Sequence, residues 1–357
     1  MGLGKRLSTR DSSRTVTPDS AKCDSSVQGE RPAVRTEVAA GISARAGGIL
    51  PYVGPARTFG ELLAAYRLVH EAYVAQGYAS PNAARIRLDF HNLVPPPNTT
   101  TFVLTRPSDV RCVGGPLGRR TDDRHTACDS SPHACERIND LIASADEVVG
   151  TVTVVLNAGH GVPAGEVFPE ELDYLRRQRR QVAEAVMLAH RPGEPLHSAR
   201  TEFHRLLLLL RLVTDHVRLH NVDDLLILAN PHHEAFYRRK LAFQVVAGPR
   251  PCSSVCGAPA ILLRHDMHSI RARAEILVPE ASQFFLSGQP DPRVLAGYRL
   301  QSNDILMLLR AAPHFWEAAT RRAACQWLLQ AHTDTMPTPT PGAERESVAA
   351  VPREAVA

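Results

Sequence analysis

The sequence predicts a mixed α/β fold, a strongly twisted sheet flanked by helices, followed by a helical C-terminal extension. Short apolar runs rich in β-branched residues alternate along the chain with longer segments whose apolar residues recur at helical spacing. The chain has 357 residues, of which 44% are hydrophobic and 22% charged. That composition supplies one large core or two modest ones and is typical of a globular protein.

The first predicted helix begins after Thr58, an N-cap residue followed three positions later by Glu61, and ends near Gly77. Thr100–Thr105 has the composition of a strand. Glu147–Leu156, with its run of valines and threonines, is the most strand-like part of the chain. We expect these two strands to pair.

The remaining elements follow in the order expected for a mixed sheet covered by helices. The pattern predicts a charged helix or turn at Glu170–Arg180, a strand at Gln181–Ala189, a helix at Ser198–His220, a strand at Asp223–Ala229, a helix at Pro231–Leu241 and a strand at Ala258–Arg264.

Composition divides the chain into a folded domain and flanking segments. Residues 1–48 and 333–357 are polar or proline-rich without a hydrophobic period, so we predict a disordered leader and a disordered tail. The folded domain is predicted at residues 50–266, with a polar surface insertion at 107–145. Residues 267–332 form the predicted helical extension.

Charge and cysteine content exclude several classes of protein. The formal net charge is only +4, which does not indicate nucleic-acid binding. No apolar run approaches the length of a transmembrane segment, and the first residues do not read as a secretory signal, so a cytoplasmic location is expected. The 7 cysteines are an odd number, as expected for reduced thiols. Four residues of the types that bind zinc lie close together in the sequence, namely His125, Cys128, His133 and Cys135. Their spacing matches no known zinc-ligand pattern, so no metal site is predicted.

The most specific local signal is the run Asn230 to Phe243, which follows a predicted strand and carries Tyr237 on a helix. The order strand, asparagine, helix with Phe-Tyr, strand resembles the last unit of GNAT-type acyltransferases, in which the tyrosine faces the donor thioester. That resemblance makes Tyr237 a candidate catalytic residue, because a phenol can protonate a departing thiolate, although it could equally be a core residue. Glu184 is the second candidate. It is a single carboxylate in an otherwise apolar strand, where burial would raise its pKa and suit it to act as a general base or to orient an acceptor amine, although the strand could equally expose alternate residues to solvent.

Five segments together resemble the FeeM-like family of N-acyl amino acid synthases, which are relatives of GNAT-type acyltransferases and of autoinducer synthases. The segments are Tyr66–Tyr78, Val148–Val155, Phe168–Glu184, Asn230–Phe243 and Gly257–Leu263. The resemblance implies a GNAT-like fold and transfer of a long-chain fatty acyl group from acyl carrier protein to the amino group of an amino acid. It implies no cofactor beyond the carrier's phosphopantetheine. Met187 and Ala242 depart from the family pattern, which carries a basic residue and a glycine there.

Other residues are candidates for binding. An arginine fork suits the carboxylate of the acceptor, and Arg67 and Arg85 are the candidates, with Asn230 as a further substrate-binding residue. An acidic carrier protein would dock on basic side chains, and the candidates are Arg238, Arg239 and Lys240. The arginines of the segment 176–180 are the alternative.

Two other functions remain open at this stage. The segment 190–198 has one glycine and two prolines and is a poor phosphate-binding turn, which disfavours a coenzyme A donor. An acyl-CoA transferase or an autoinducer-synthase-like enzyme nevertheless remains an alternative. A degenerate GNAT-type module that binds the carrier protein or a lipid without catalysis is the other, because of Met187 and Ala242.

Overall fold

The computed structural model describes residues 52–106, 132–157, 161–191, 199–269, 276, 288–292, 295–311 and 324–326. The predicted leader, the predicted tail, the first part of the predicted insertion and residues 192–198 lie outside these ranges, as do His125 and Cys128.

A seven-stranded sheet organises the described part of the chain, with the order β1-β2-β3-β4-β5-β7-β6. All neighbouring strands are antiparallel except β4 and β5, which are parallel, so the predicted mixed sheet is confirmed. The predicted pairing of the first two long strands, now β2 and β3, is also confirmed. The strands are β1 Val53–Pro55, β2 Thr99–Arg106, β3 Glu147–Leu156, β4 Val182–His190, β5 Asp224–Ala229, β6 Gln244–Cys252 and β7 Ala258–Asp266.

Helices cover both faces of this sheet. The first begins as predicted, because the Thr58 side chain accepts a hydrogen bond from the Glu61 N–H at 3.1 Å. The helices are α1 Phe59–Ala75, α2 Pro132–Ser144, α3 Ala164–Val167, α4 Pro169–Arg177, α5 Ala199–Leu219, α6 Glu234–Leu241 and α7 Ser302–Ala311, with short 3₁₀ helices at Phe90–Leu93, Pro231–His233 and Ser253–Val255.

Two features of the fold differ from the sequence predictions. The second part of the predicted surface insertion is helix α2, whose Ile138 is fully buried against α1, so this part belongs to the core. The predicted C-terminal extension is likewise joined to the domain, because Ile305 and Leu308 of α7 are fully buried in the same cluster. In α2 the apolar positions are scattered among polar ones, whereas α7 carries the apolar run Ile305–Leu309.

Strands β1 and β6 were not predicted. β1 has three residues, too few for a pattern to emerge. β6 contains Gly248, Pro249 and Pro251, which are typical of a loop, but an edge strand tolerates them because one of its sides has no partner strand.

The sheet is open between β4 and β5, its central pair of strands. β4 and β5 pair only over Val182–Glu184 and Asp224–Leu226, although both strands continue further. Beyond this point β4 has a bulge opposite β3, where Met187 adopts a left-handed conformation with φ of 54°. The sheet therefore has a gap between its two central strands.

Candidate active site

A cavity of about 510 Å³ occupies the gap between β4 and β5. Its volume is within the range of sites that hold small molecules. Side chains from both faces of the sheet line it, and the lining has two chemically different parts. One part is polar and is formed mainly by the segment after α1, the start of α6 and the β6–β7 turn. The other is apolar and lies against α5.

Glu184 of β4 lines this cavity and is only 1% exposed. The Ala164 N–H of α3 donates a hydrogen bond to Glu184 Oε2 at 2.6 Å, whereas Oε1 has no partner among the described residues. Burial raises the pKa of Glu184 to about 8, despite the opposing effect of the Ala164 N–H. The ionised form, which can accept a proton, therefore becomes the major form only above about pH 8.

Tyr237 of α6 lines the same cavity. Its ring packs edge-on against Phe236 and Phe243, with ring centroids 5.4 and 5.7 Å apart. Burial raises the pKa of Tyr237 to about 12, so the phenol carries its proton at neutral pH. The two residues selected from the sequence as catalytic candidates therefore share one cavity.

Asn230 also lies at the cavity, at the entry to α6. Its side-chain oxygen accepts the His232 N–H at 3.1 Å, and its side-chain amide donates to Tyr78 Oη at 3.1 Å. Asn230 thus caps the 3₁₀ turn before α6 and links it to the segment that follows α1. This contact holds two walls of the cavity together.

Met187 lies at the bulge of β4 and lines the cavity. The bulge interrupts the ladder between β3 and β4, with register partners missing for Met187 and Leu188. The Met187 sulfur accepts a hydrogen bond from the Asn92 side chain at 3.4 Å, so Met187 brings no charge to this position. Ala242, the other departure, adopts a left-handed conformation with φ of 56° at the end of α6, where a glycine would be unstrained.

The arginines selected as acceptor ligands lie elsewhere. Arg67 donates to Asn139 of α2 at 2.5 Å, and Arg85 is 64% exposed and pairs with Glu71 at 3.1 Å. Neither belongs to the cavity lining formed by the described residues. The arginine that lines the cavity is Arg87, which the sequence reasoning missed. In an extended segment Arg85 and Arg87 would share one side, but the left-handed backbone of Arg85, with φ of 52°, breaks this alternation.

The basic residues selected for carrier binding are exposed on α6. Arg238 pairs with Glu234 at 2.8 Å, and Arg239 and Lys240 are exposed next to it. Among the alternative arginines at 176–180, Arg180 is engaged within the domain and does not present its charge to a carrier protein, because it binds the fully buried Asp224 at the start of β5. Arg176 and Arg177 stay exposed on α4.

The apolar part of the cavity is formed by α5 and the strands beneath it. Leu206, Leu210 and Val213 contribute from α5, and Ile227 and Phe243 from the sheet side. Except for Leu206, these residues belong to or pack against the hydrophobic cluster between α5 and the sheet. A long apolar group could therefore extend from the gap in the sheet toward this core.

The described residues show neither a metal-binding cluster nor a membrane-spanning helix. They contain no group of three or more His, Cys, Asp or Glu side chains placed to hold a metal ion. None of the helices within the described ranges has the length and apolar character that a membrane span requires.

The mixed sheet flanked by helices agrees with the GNAT-like fold that the sequence resemblance implies, and Glu184 and Tyr237 share the cavity at its central gap. Residues 118–266 match the family model described as N-acyl amino acid synthase FeeM. The resemblance read from the sequence is thereby confirmed over those residues, and the chain is an amide-forming acyltransferase.

Solved structures with a similar arrangement include three acyltransferases. FeeM, an N-acyl amino acid synthase from uncultured soil microbes, has 21% identity and a TM-score of 0.45, over 63% of this chain and 94% of that chain. The acyl-homoserine lactone synthase LasI has 12% identity and a TM-score of 0.40, over 65% and 96%. An acyl-CoA N-acyltransferase from Pseudomonas aeruginosa has 13% identity and a TM-score of 0.31, over 60% and 98%. No curated protein matches this sequence.

Proposed function

We propose that this enzyme transfers a long-chain fatty acyl group from the phosphopantetheine of acyl carrier protein to the amino group of an amino acid. The observation that carries the proposal is the cavity that Glu184 and Tyr237 share. The match to the N-acyl amino acid synthase family model supports the acceptor class. A carrier-protein donor would place the reaction in the cytoplasm.

Glu184 acts as the general base. An amino acid carries an ammonium group at neutral pH, and this group must lose a proton before its nitrogen can attack a carbonyl carbon. The carboxylate of Glu184 takes that proton. Its raised pKa, about 8, matches this task better than an ordinary carboxyl would, because proton transfer is most efficient when the pKa of the base lies near the working pH.

The amine then attacks the thioester carbonyl and forms a C–N bond, with negative charge developing on the carbonyl oxygen. Backbone N–H groups at the bulge of Met187 and Leu188 are the candidate donors for this oxygen, since the bulge removes them from regular strand pairing. The intermediate collapses, the C–S bond breaks, and Tyr237 donates its proton to the departing thiolate. The attacking nitrogen gives up its second proton, which restores the Tyr237 phenol, and Glu184 releases the first proton to solvent. The products are the N-acyl amino acid and the free phosphopantetheine thiol.

The acyl chain occupies the apolar part of the cavity against α5. Leu206, Leu210 and Val213 offer a hydrocarbon surface that an acetyl group would leave unfilled. Burial of each methylene there contributes about 0.8 kcal/mol, so this part of the cavity favours a long chain over a short one.

The carrier protein docks on the outer surface of α6. Phe236, Tyr237 and Leu241 of this helix line the cavity, while Arg239 and Lys240 are exposed on it. An acidic carrier bound there would need to send its phosphopantetheine arm across only one helix to reach Tyr237. This interaction would weaken as the salt concentration rises.

Mass spectrometry of reaction products tests the proposal. The purified full chain is incubated with a mixture of amino acids and with acyl carrier protein loaded with chains of different lengths, and in parallel with the corresponding acyl-CoA esters. We expect N-acyl amino acids from the carrier-bound long chains. Absence of any such product with every donor would refute the proposed function, whereas equal turnover with acyl-CoA would refute only the carrier-protein donor.

Variants test the roles of the individual residues. Glu184→Gln and Tyr237→Phe should each lower kcat by about 10²-fold or more. Glu170→Gln and Tyr174→Phe are the matched controls, because these side chains are exposed on α4, outside the cavity lining. Full turnover by Glu184→Gln would eliminate Glu184 as the base.

The donor surface has its own test. The double variant Arg239→Glu, Lys240→Glu should raise KM for the acyl carrier protein and leave KM for a free acyl-pantetheine thioester unchanged. The same charge reversal at Arg176 and Arg177 of α4 is the comparison, and an effect confined to that variant would move the docking surface to α4.

A further inference from the structure

We propose that Arg87 binds the carboxylate of the amino acid acceptor and so selects amino acids over simple amines. This inference rests on the proposed function, because it assigns the acceptor's position in the same cavity.

Arg87 is held in a fixed position at the polar part of the cavity. Its guanidinium donates to the Ser254 carbonyl oxygen at 2.6 Å and lies 4.9 Å from the centre of the Tyr73 ring. Its backbone N–H donates to the Tyr66 carbonyl of α1 at 3.1 Å. The residue thus connects α1 to the β6–β7 turn, and little side-chain freedom remains to be lost when a ligand binds.

The guanidinium retains capacity for a further anion. The side chain is only 14% exposed, and its ion pair with Asp89 spans 3.5 Å, the upper limit of a hydrogen bond. Its Nε is buried without a hydrogen-bond partner among the described residues. A buried N–H with no acceptor costs free energy, so the charge of this guanidinium is only partly compensated by its present partners.

The chemistry of the lining fits an amino acid in one orientation. Arg87, Tyr73 and Asn92 lie in the polar part of the cavity, and Glu184 lines the same space. A carboxylate on Arg87 leaves the ammonium group for the Glu184 carboxyl. An amine without a carboxylate would form no ion pair with Arg87 and would bind with no fixed orientation.

The test compares two acceptors. One is the amino acid that the wild-type chain uses best, and the other is the amine that lacks only its carboxylate, such as isoamylamine for leucine or tyramine for tyrosine. Arg87→Gln should raise KM for the amino acid about 10- to 100-fold, the usual effect of losing a charge-assisted hydrogen bond. It should leave KM for the acyl donor unchanged and remove the preference for the amino acid over the amine.

Controls separate this role from a structural one. Arg87→Lys keeps the charge without the planar fork and should give a smaller rise in KM for the amino acid. If thermal unfolding shows that Arg87→Gln does not fold, Arg87→Lys replaces it in the comparison of the two acceptors. Arg191→Gln is the matched control, since Arg191 is half exposed, pairs with Glu147 at 2.8 Å and is absent from the cavity lining.

The outcomes are distinguishable from failure of the proposed function. A wild-type chain that forms no N-acyl amino acid refutes the proposed function itself. An active wild-type chain refutes the Arg87 inference if Arg87→Gln keeps its preference for the amino acid. A rise in KM for the acyl donor alone, or a loss of acceptor selectivity in Arg67→Gln or Arg85→Gln instead, overturns it as well.

Discussion

Replacing Glu184 by glutamine should change how the stability of the enzyme depends on pH. The carboxyl titrates at about 8 in the folded chain and at 4.5 when exposed. Below pH 4.5 it is protonated in both states and contributes no pH dependence. Between these values, unfolding releases a proton, so the free energy of unfolding falls as the pH rises. Above about pH 8 the carboxyl is ionised in both states, and no further change follows.

The magnitude follows from the two pKa values. Each pH unit between them costs the wild-type chain about 1.4 kcal/mol, which amounts to about 5 kcal/mol over the full interval. Glutamine does not ionise, and its side-chain oxygen can still accept the Ala164 N–H. Glu184→Gln should therefore gain stability relative to the wild type across this interval, and the gain should level off above pH 8.

Urea unfolding at a series of pH values between 5 and 9 measures this effect. The quantity of interest is the difference in unfolding free energy between Glu184→Gln and the wild type, because other titrating groups cancel in it. Glu170→Gln, which replaces an exposed carboxyl, should show a difference that does not vary with pH. A flat difference for Glu184→Gln, or one that shrinks as the pH rises, would mean that Glu184 is ionised at neutral pH in the folded enzyme.

Four further outcomes are expected. The kcat for amide formation should rise with pH and reach a plateau above about 8, as the Glu184 carboxylate forms. Asp224→Asn should lower the unfolding free energy in urea by about 3 kcal/mol, because Arg180 loses a fully buried partner. Ile305→Ala should cost about 2–5 kcal/mol in the same assay if α7 belongs to the core. Leu210→Trp should shift the product mixture, measured by mass spectrometry, toward shorter acyl chains.

The helices and strands could be predicted from the sequence where one face or the whole element is buried, because such burial leaves a clear pattern of apolar residues. Glu147–Leu156 is a strand with the predicted bounds, because its β-branched residues are nearly all buried in the sheet. α1 was predictable from its cap, since the Thr58 side chain determines where the helix begins. α2 was not predicted, because Ile138 is the one fully buried residue in its described part and Leu141 and Ile142 are only partly buried, so the apolar face is weak. The partner surface that α1 provides is visible only in the structure.

The candidate site was predictable only in part, and the reason is geometric. Glu184 stood out because a lone carboxylate in an apolar strand has few structural explanations, and the structure buries it at the cavity. Arg87 did not stand out, because it lies in a segment of irregular backbone. Such a segment has no periodic pattern that would indicate where the Arg87 side chain points. The left-handed turn at Arg85 sets that direction, and an arginine at such a position carries no sequence signal comparable to glycine.

The gap between β4 and β5 that holds the cavity is closed at one end, where the two strands pair, and this end is held in place by ion pairs. Asp224, at the start of β5, binds Arg180 just before β4 and Arg264 of β7, so one buried carboxylate joins three strands at the end where they pair. Beyond Glu184 this pairing stops, and the bulge at Met187 alters the course of β4. The ion cluster thus fixes one end of the gap while the bulge shapes the other. Glu184 is the last residue of β4 that pairs with β5, so it lies between these two ends of the gap. Burial at this position is what raises the pKa of its carboxyl.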